Sequence, residues 1–244
     1  MTHYRRIGIV MAMQAEAEPI LQALDLQPVP LADRHLNFRR FHGQFKGLEI
    51  VLQSSGVDPV VGVDQIGTDA ATLSTYSLLH ETHCDLLLNP GTAGGFAAKG
   101  AHIGTVYLSR GQFVFHDRHV PIDGFEAFAQ GRIPAANTDA LAERTGLPQG
   151  VISTGGSLKR SDSDLHMIKH FDAVAKEMEA AAIAWVARFY RTPVVAIKSI
   201  TNLLDQPAPS ETQFLANLEA ASHALSQATF AVLNALADGV TVTV

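Results

Sequence analysis

Three short stretches place groups that could do acid–base work: AMQAEAE with Glu16 and Glu18, KEMEAAA with Glu177 and Glu179, and KSITNLLD with Asn202 and Asp205. A carboxylate beside a cleft can take a proton from water and turn that water into a nucleophile. A second carboxylate can accept both hydroxyls of a sugar. The two glutamate pairs also have a plainer reading, because the helix dipole favours acidic side chains in a first turn. In KEMEAAA the spacing puts Glu177 and Glu179 on one face, with Met178 opposite, if the segment is extended. KSITNLLD raises a sharper question, since Asn202 and Asp205 both follow an apolar run and only the carboxyl group can give up a proton.

NPGTAGG, residues 89 to 95, exposes backbone N–H groups with little side-chain obstruction. It reads either as a nest for an anion or hydroxyl-rich ligand or as a plain strand-to-helix turn. It is neither a P-loop nor GxGxxG. His116 and His119 in FHDRH would share a face only in a helix. The residues before them look β-like and Arg118 would repel a cation, so no metal site is expected. STGGS lacks the G-x-S-x-G elbow, which argues against a serine triad built on Ser153 or Ser157. Cys84, the sole cysteine, reads as core and leaves no partner for an internal disulfide.

The elements that must position these groups alternate. Residues 6 to 13 read as a buried strand and 14 to 26 as a helix with apolar residues at helical spacing. Residues 38 to 56 read as a hairpin turning near Lys46-Gly47. A helix is predicted over 61 to 81, although Gly67 interrupts it. A short strand from Cys84 runs into the glycine turn, and two more strands are predicted over 103 to 118. Residues 119 to 150 read as loop-rich. Residues 149 to 171 read as strand, turn and a capped helix, and 172 to 190 as a strand and an Ala-rich helix. A strand ending near Ile197 precedes a long helix over 208 to 239, with Ser210 as N-cap and Gly239 as stop. Buried strands alternating with helices, with hairpins among them, predict an α/β domain spanning 1–244 with a central mixed sheet flanked by helices in three layers. Polar clusters recur at the strand ends, where open α/β sheets bind ligands.

The chain has 244 residues and a net charge of −6, with no Lys/Arg block or basic stripe. That argues against a nucleic-acid or acidic-membrane partner. The stretch MTHYRRIGIVMAM reads as a first strand, not a signal peptide, and no apolar run reaches the length of a membrane span. A single cysteine fits a reduced, cytoplasmic setting.

Taken together, IGIVMAMQAEA, NPGTAGGFAAKGAHIGTV, FHDR, STGGSL, KEMEAAAIAWVA and KSITNLLD occur in the order of one family. They resemble 5′-methylthioadenosine/S-adenosylhomocysteine nucleosidases of the nucleoside phosphorylase superfamily. AMQAEA, FHDR and PSETQFLANL are most similar to its plant-type branch. The resemblance covers nearly the whole chain and is weakest over 119 to 150.

The resemblance implies hydrolysis of the N-glycosidic bond of a 5′-thio-substituted adenosine, without cofactor or metal, by a homodimer. It implies that Glu16 activates the attacking water, that Met13 contacts the substrate, and that Met178 and Glu179 hold the ribose. Thr92, Ala93 and Gly94 match the turn beside ribose and water. Leu158 and Lys159 match positions that pack on the adenine and bind its edge through main-chain groups. Val57 and Phe214 match walls of the 5′-thio pocket, and Phe115 a residue reaching the neighbouring subunit's pocket.

One departure stands out. The family's general acid is an aspartate, and the matching position holds Asn202. Gly156 stands where relatives often carry an aspartate that helps place the acid. The Asn202 amide can hydrogen-bond N7 of the purine but cannot transfer a proton. Three explanations stay open: an introduced Asp-to-Asn change, a naturally slow or redirected enzyme, or a donor role for Asp205 through a shifted loop. Two other functions follow from the same residue, a nucleoside-binding relative with impaired catalysis and a 6-oxopurine nucleoside hydrolase or phosphorylase. Phosphorolysis would need cations for phosphate, and the first-strand loop MAMQAEAEP supplies none, which favours water as the nucleophile.

Overall fold

The computed structural model describes residues 4–207 and 209–243. Residues 1–3, part of the stretch read above as no signal peptide, and Ala208, the expected first residue of the last helix, lie outside them.

Strand β1 (Arg6–Met11) leads directly into α1 (Gln14–Ala23), which buries Glu16, Ala17 and Ile20. Strand β2 (Gln27–Val29) precedes the hairpin of β3 (Arg39–Phe45) and β4 (Leu48–Ser54). Its turn residues Lys46 and Gly47 have φ of 45° and 86°, the left-handed pair that matches the twist of a tight hairpin. Helix α2 (Thr68–Glu81) starts later than its pattern suggests, because Gly67 at φ 94°, ψ 179° cannot continue a helix backwards. Strand β5 (Leu86–Gly95) continues through the whole glycine-rich stretch, and a 3₁₀ turn (Ala97–Lys99) follows it. Strand β6 (Val106–Phe115) is a single strand where two were expected. Gly111, at φ 75°, lets it bulge, and its register against the next strand shifts between Ser109 and Phe113.

The stretch read as loop-rich carries α3 (Phe125–Gln130), β7 (Ile133–Pro134) and α4 (Asp139–Thr145). Strand β8 (Gln149–Thr154) is followed by α5 (Asp162–His170), whose start is fixed by a capping box between Ser161 and Asp164. Then come β9 (Ala175–Glu177), α6 (Ala180–Ala187), β10 (Val194–Leu203) and α7 (Ser210–Ala237). The N-cap of α7 is Pro209, one residue before the expected Ser210.

The strands form one mixed sheet in the order β10-β6-β8-β9-β5-β1-β4-β3-β2, and β10 pairs back onto β5. Strand β5 thus pairs with β1 through Leu86 to Leu88, with β10 along most of its length, and with β9 at Gly94 and Gly95. Closing that circuit curls one end of the sheet around the ends of β5 and β10. Helices α1 and α7 cover one face, where Ile20, Leu225 and Val232 pack on Ile7, Ile9 and Leu88. On the other face Leu78 of α2 and the alanines of α6 pack on Val10, Leu87 and Ala196. The result is the three-layer α/β arrangement expected from the sequence.

Candidate active site

A cavity of about 650 Å³ opens where β1, β5, β9 and β10 end. Its lining includes Met13, Glu16, Val57, Thr92, Ala93, Gly94, Leu158, Lys176, Glu177, Met178, Glu179, Asn202 and Phe214. Of the site residues that the resemblance implies, Lys159 and Phe115 are absent from that lining, and so are Glu18 and Asp205.

The floor is the β5–β10 pairing. Asn202 lies opposite Gly94 and Lys198 opposite Gly91, with a register shift between Ile200 and Asn202 that re-aims the polar end of the strand. The glycines here have no left-handed φ; they are needed for space. A Cβ on Gly94 would sit 3.0 Å from the Asn202 amide nitrogen, and one on Gly91 would sit 3.1 Å from the Lys198 ammonium. NPGTAGG is therefore a strand that lets its neighbours' polar side chains approach, not a phosphate nest or a turn.

Glu16 is 4% exposed. Its Oε1 accepts hydrogen bonds from the Thr92 amide at 2.9 Å and the Thr92 hydroxyl at 2.6 Å. Burial raises its pKa above the usual carboxylate range, against those bonds and the charge of Lys198. A carboxylate in that condition is a stronger base than one in water.

Glu177 and Glu179 stand where β9 runs into α6. Glu177 accepts the Lys198 ammonium at 2.8 Å, the Thr154 hydroxyl and the amides of Glu179 and Ala180. Burial opposes its charge, but Lys198 and these donors outweigh it and hold its pKa low. Glu179 accepts the Gly67 amide at 2.8 Å. Burial, and then the Glu177 charge, push its pKa up to about 7. Lys198 is 1% exposed, and its charge bears on all three carboxylates. The sequence placed it in the polar cluster at the strand end without a role, although a lysine between Ile197 and Ile200 in an apolar strand is itself a signal, since a buried ammonium needs a counter-charge.

Asn202 is 2% exposed, and its Oδ1 accepts the Thr201 hydroxyl at 3.0 Å, which turns the amide nitrogen to the other side. Asp205 is not its substitute. Both its oxygens cap the 3₁₀ turn, accepting the amides of Ala97 at 2.9 Å and Ala98 at 2.8 Å. Those bonds hold its carboxyl ionised, its pKa lowered in spite of some burial, and it does not line the cavity. The explanation through a shifted loop is corrected.

Another wall is the turn after β8. Leu158 reaches the cavity, whereas Lys159 is exposed to solvent. Asp117 accepts the Gly156 amide at 2.5 Å, and the Lys176 ammonium donates to the carbonyls of Ser157 and of Leu158, the latter at 3.2 Å. His116 is buried against Ser153 at 2.9 Å, and burial depresses its pKa to about 4, so it is a neutral core group. Among the described residues no cluster suits a metal ion. Phe115, expected to reach a neighbouring subunit's pocket, is 1% exposed and lies under the Arg118 guanidinium, 3.5 Å from its ring. Gly131 makes room for the ring, since a Cβ there would lie 2.9 Å from it.

The remaining wall is residues 57–66. Val57 bridges to Asp64, and Asp64 accepts the Gln14 amide at 3.0 Å, which ties this wall to the start of α1.

Residues 6–237 match the family model of the phosphorylase superfamily. The chain belongs to the phosphorylase superfamily. Within the superfamily it is 39% identical over 231 residues to a 5′-methylthioadenosine nucleosidase of Arabidopsis thaliana, an alignment covering 93% of this chain and 86% of the relative. A 5′-methylthioadenosine/S-adenosylhomocysteine nucleosidase of the same plant is 35% identical, with 93% of this chain and 90% of the relative covered. The fold superimposes on an apo structure of Arabidopsis 5′-methylthioadenosine nucleosidase with a TM-score of 0.95, at 36% identity and 98% coverage of both chains.

Proposed function

We propose that this chain hydrolyses the N-glycosidic bond of 5′-methylthioadenosine, releasing adenine and methylthioribose, and that S-adenosylhomocysteine is a candidate second substrate. The observation that carries this reading is the meeting of Glu16 and Glu179 on one cavity, although they lie far apart in sequence. Water held by Glu16 attacks the anomeric carbon as the purine departs, and the proton passes to the carboxylate. Glu179, fixed by the Gly67 amide, takes the ribose hydroxyls. Lys198 keeps Glu177 and its neighbours from repelling one another. Met13, Thr92, Ala93 and Gly94 border the ribose and water, Leu158 and Met178 pack on the nucleoside, and Val57 and Phe214 wall the 5′ substituent. Water is preferred to phosphate as nucleophile because Lys198 is already paired with Glu177, and Glu16 would repel an anion.

Asn202 favours a second reading, a nucleoside-binding protein with little turnover. One experiment separates the two. Adenine release from 5′-methylthioadenosine is followed with and without phosphate, alongside calorimetric binding of the nucleoside. Phosphate-independent release supports the hydrolase; strictly phosphate-dependent cleavage refutes it; tight binding without release supports the second reading.

The proposal includes a homodimer. An exposed apolar surface supports it, with Val60 at 89% exposure, Val61 at 68% and Phe128 at 67%. A cytoplasmic setting is supported by the one free, buried cysteine. No helix among the described residues is long and apolar enough to cross a membrane.

A further inference from the structure

Lys176 is a second buried ammonium in the same cavity, and nothing described so far uses its charge. It is 5% exposed. The other buried lysine, Lys198, is paired with Glu177, whereas the hydrogen bonds of Lys176 go to the Ser157 and Leu158 carbonyls. An ammonium has three N–H donors, so one remains. Its direct partners are neutral carbonyls, while the charges of Asp164, Glu177 and Asp117 act on it from farther off; a buried charge without a direct counter-ion is costly, and groups with perturbed ionisation concentrate at functional sites.

Its position is defined by the sheet. Gly94 of β5 has Lys176 as its partner on one side and Asn202 on the other. Residues in register across a sheet point to the same face, so the two side chains rise from one row, with Cα atoms about 10 Å apart, two strand spacings. Both line the cavity, and the main-chain oxygens that Lys176 holds belong to the turn carrying Leu158. The ammonium thus sits on the side assigned to the base.

We infer that Lys176 is a catalytic residue that takes the negative charge of the departing purine in this asparagine-bearing site. The inference rests on the nucleosidase reading above. In the step, the C1′–N9 bond breaks with its electron pair going to the purine. The water oxygen bonds C1′, and its proton passes to Glu16. The purine anion is held against the free N–H of Lys176, with the Asn202 amide donating beside it. On release the anion takes a proton from solvent, and Glu16 returns its own to solvent, so the net reaction consumes one water. The lowered pKa of Lys176, caused by burial and opposed by Asp164, Glu177 and Asp117, is consistent with an ammonium awaiting an anion.

The test compares two leaving groups in the protein with its own Asn202. One substrate is 5′-methylthioadenosine. The other is a 4-nitrophenyl 5-methylthioriboside, whose leaving group is a stable anion without help. Removing a donor to developing charge costs about 10²–10³-fold in kcat. Lys176→Met should lose that factor on the nucleoside and almost none on the nitrophenyl riboside. Lys176→Arg, which keeps the charge, should recover most of the loss. Lys176→Gln can keep a carbonyl contact without the charge, and it should show the same substrate-dependent loss; it also serves if the Met variant does not fold. Equal losses on both substrates, or no loss on either, overturn the inference in favour of a structural lysine. A parent chain that binds 5′-methylthioadenosine without cleaving it also overturns the inference and leaves the cavity assignment standing. A parent that does not bind it overturns the nucleosidase reading itself.

Discussion

An amide at position 202 can donate a hydrogen bond to a ring nitrogen, yet it has no proton to release near neutrality. Restoring a carboxyl group there adds general acid catalysis, a contribution of about 10²–10⁴-fold. Asn202→Asp should therefore raise kcat for 5′-methylthioadenosine by roughly 10²-fold or more, read as adenine release. An unchanged rate would mean that proton delivery does not limit this site. Glu16→Gln keeps the size of the side chain and removes the base, so kcat should fall by about 10²–10⁴-fold while nucleoside binding persists. Glu179 carries a pH signature. Its pKa is about 7 in the fold against 4.5 for an ordinary glutamate. Between these values the folded state holds more protons than the unfolded chain, so this residue's contribution to stability is full at low pH and is lost as pH rises through 7. Denaturation midpoints of the parent measured relative to Glu179→Gln should therefore decline from pH 5 to pH 8. A difference that grows with pH would reverse the assignment.

At the scale of elements, the β5–β10 pairing sets how closely Asn202 and Lys198 approach the glycines of the cavity floor. Gly94→Ala would place a methyl 3.0 Å from both the Asn202 amide nitrogen and Leu204. Overpacking of this kind costs about 1–3 kcal/mol. Here it should appear as lower thermal stability together with weakened nucleoside binding in calorimetry. Binding at parental strength would show that the strands can part without cost to the site. The same pairing explains what the sequence conceals. Alternating apolar strands and helices were legible as an α/β sheet because burial imposes its period on the chain. The run NPGTAGG read as a nest or a turn, since glycines that serve close strand approach look the same as glycines that serve left-handed backbone. Strand β10 extends to Leu203, past the expected end, because its polar residues face a cavity instead of solvent. Glu16 and Glu179 could be picked out through motifs, whereas the partnership of Lys198 with Glu177 and the orientation of Phe115 depend on contacts across the fold. The capping role of Asp205 was equally hidden, since its partners Ala97 and Ala98 lie more than a hundred residues earlier.

For the whole molecule, the exposed apolar residues gather on the 57–66 segment, the outer face of α2 and the region of α3, through Val61, Tyr76, Phe125 and Phe128 among others. If that surface joins two copies, sedimentation should give twice the mass of the chain. Replacing Val61 and Phe128 by glutamate should then halve it, because two buried charges would have no partners. A parent that sediments as a monomer at micromolar concentration would count against the dimer. The division of labour between scaffold and wall has a practical outcome. The side chains proposed to break the bond lie in paired strands and at helix starts, while the wall that would meet the 5′ group, Val57, Val63, Ile66 and Phe214, lies in the 57–66 segment and at the beginning of α7. Diversifying only that wall should yield descendants with altered substrate range and an inherited turnover chemistry, so selectivity in this architecture can be bred without rebuilding the engine.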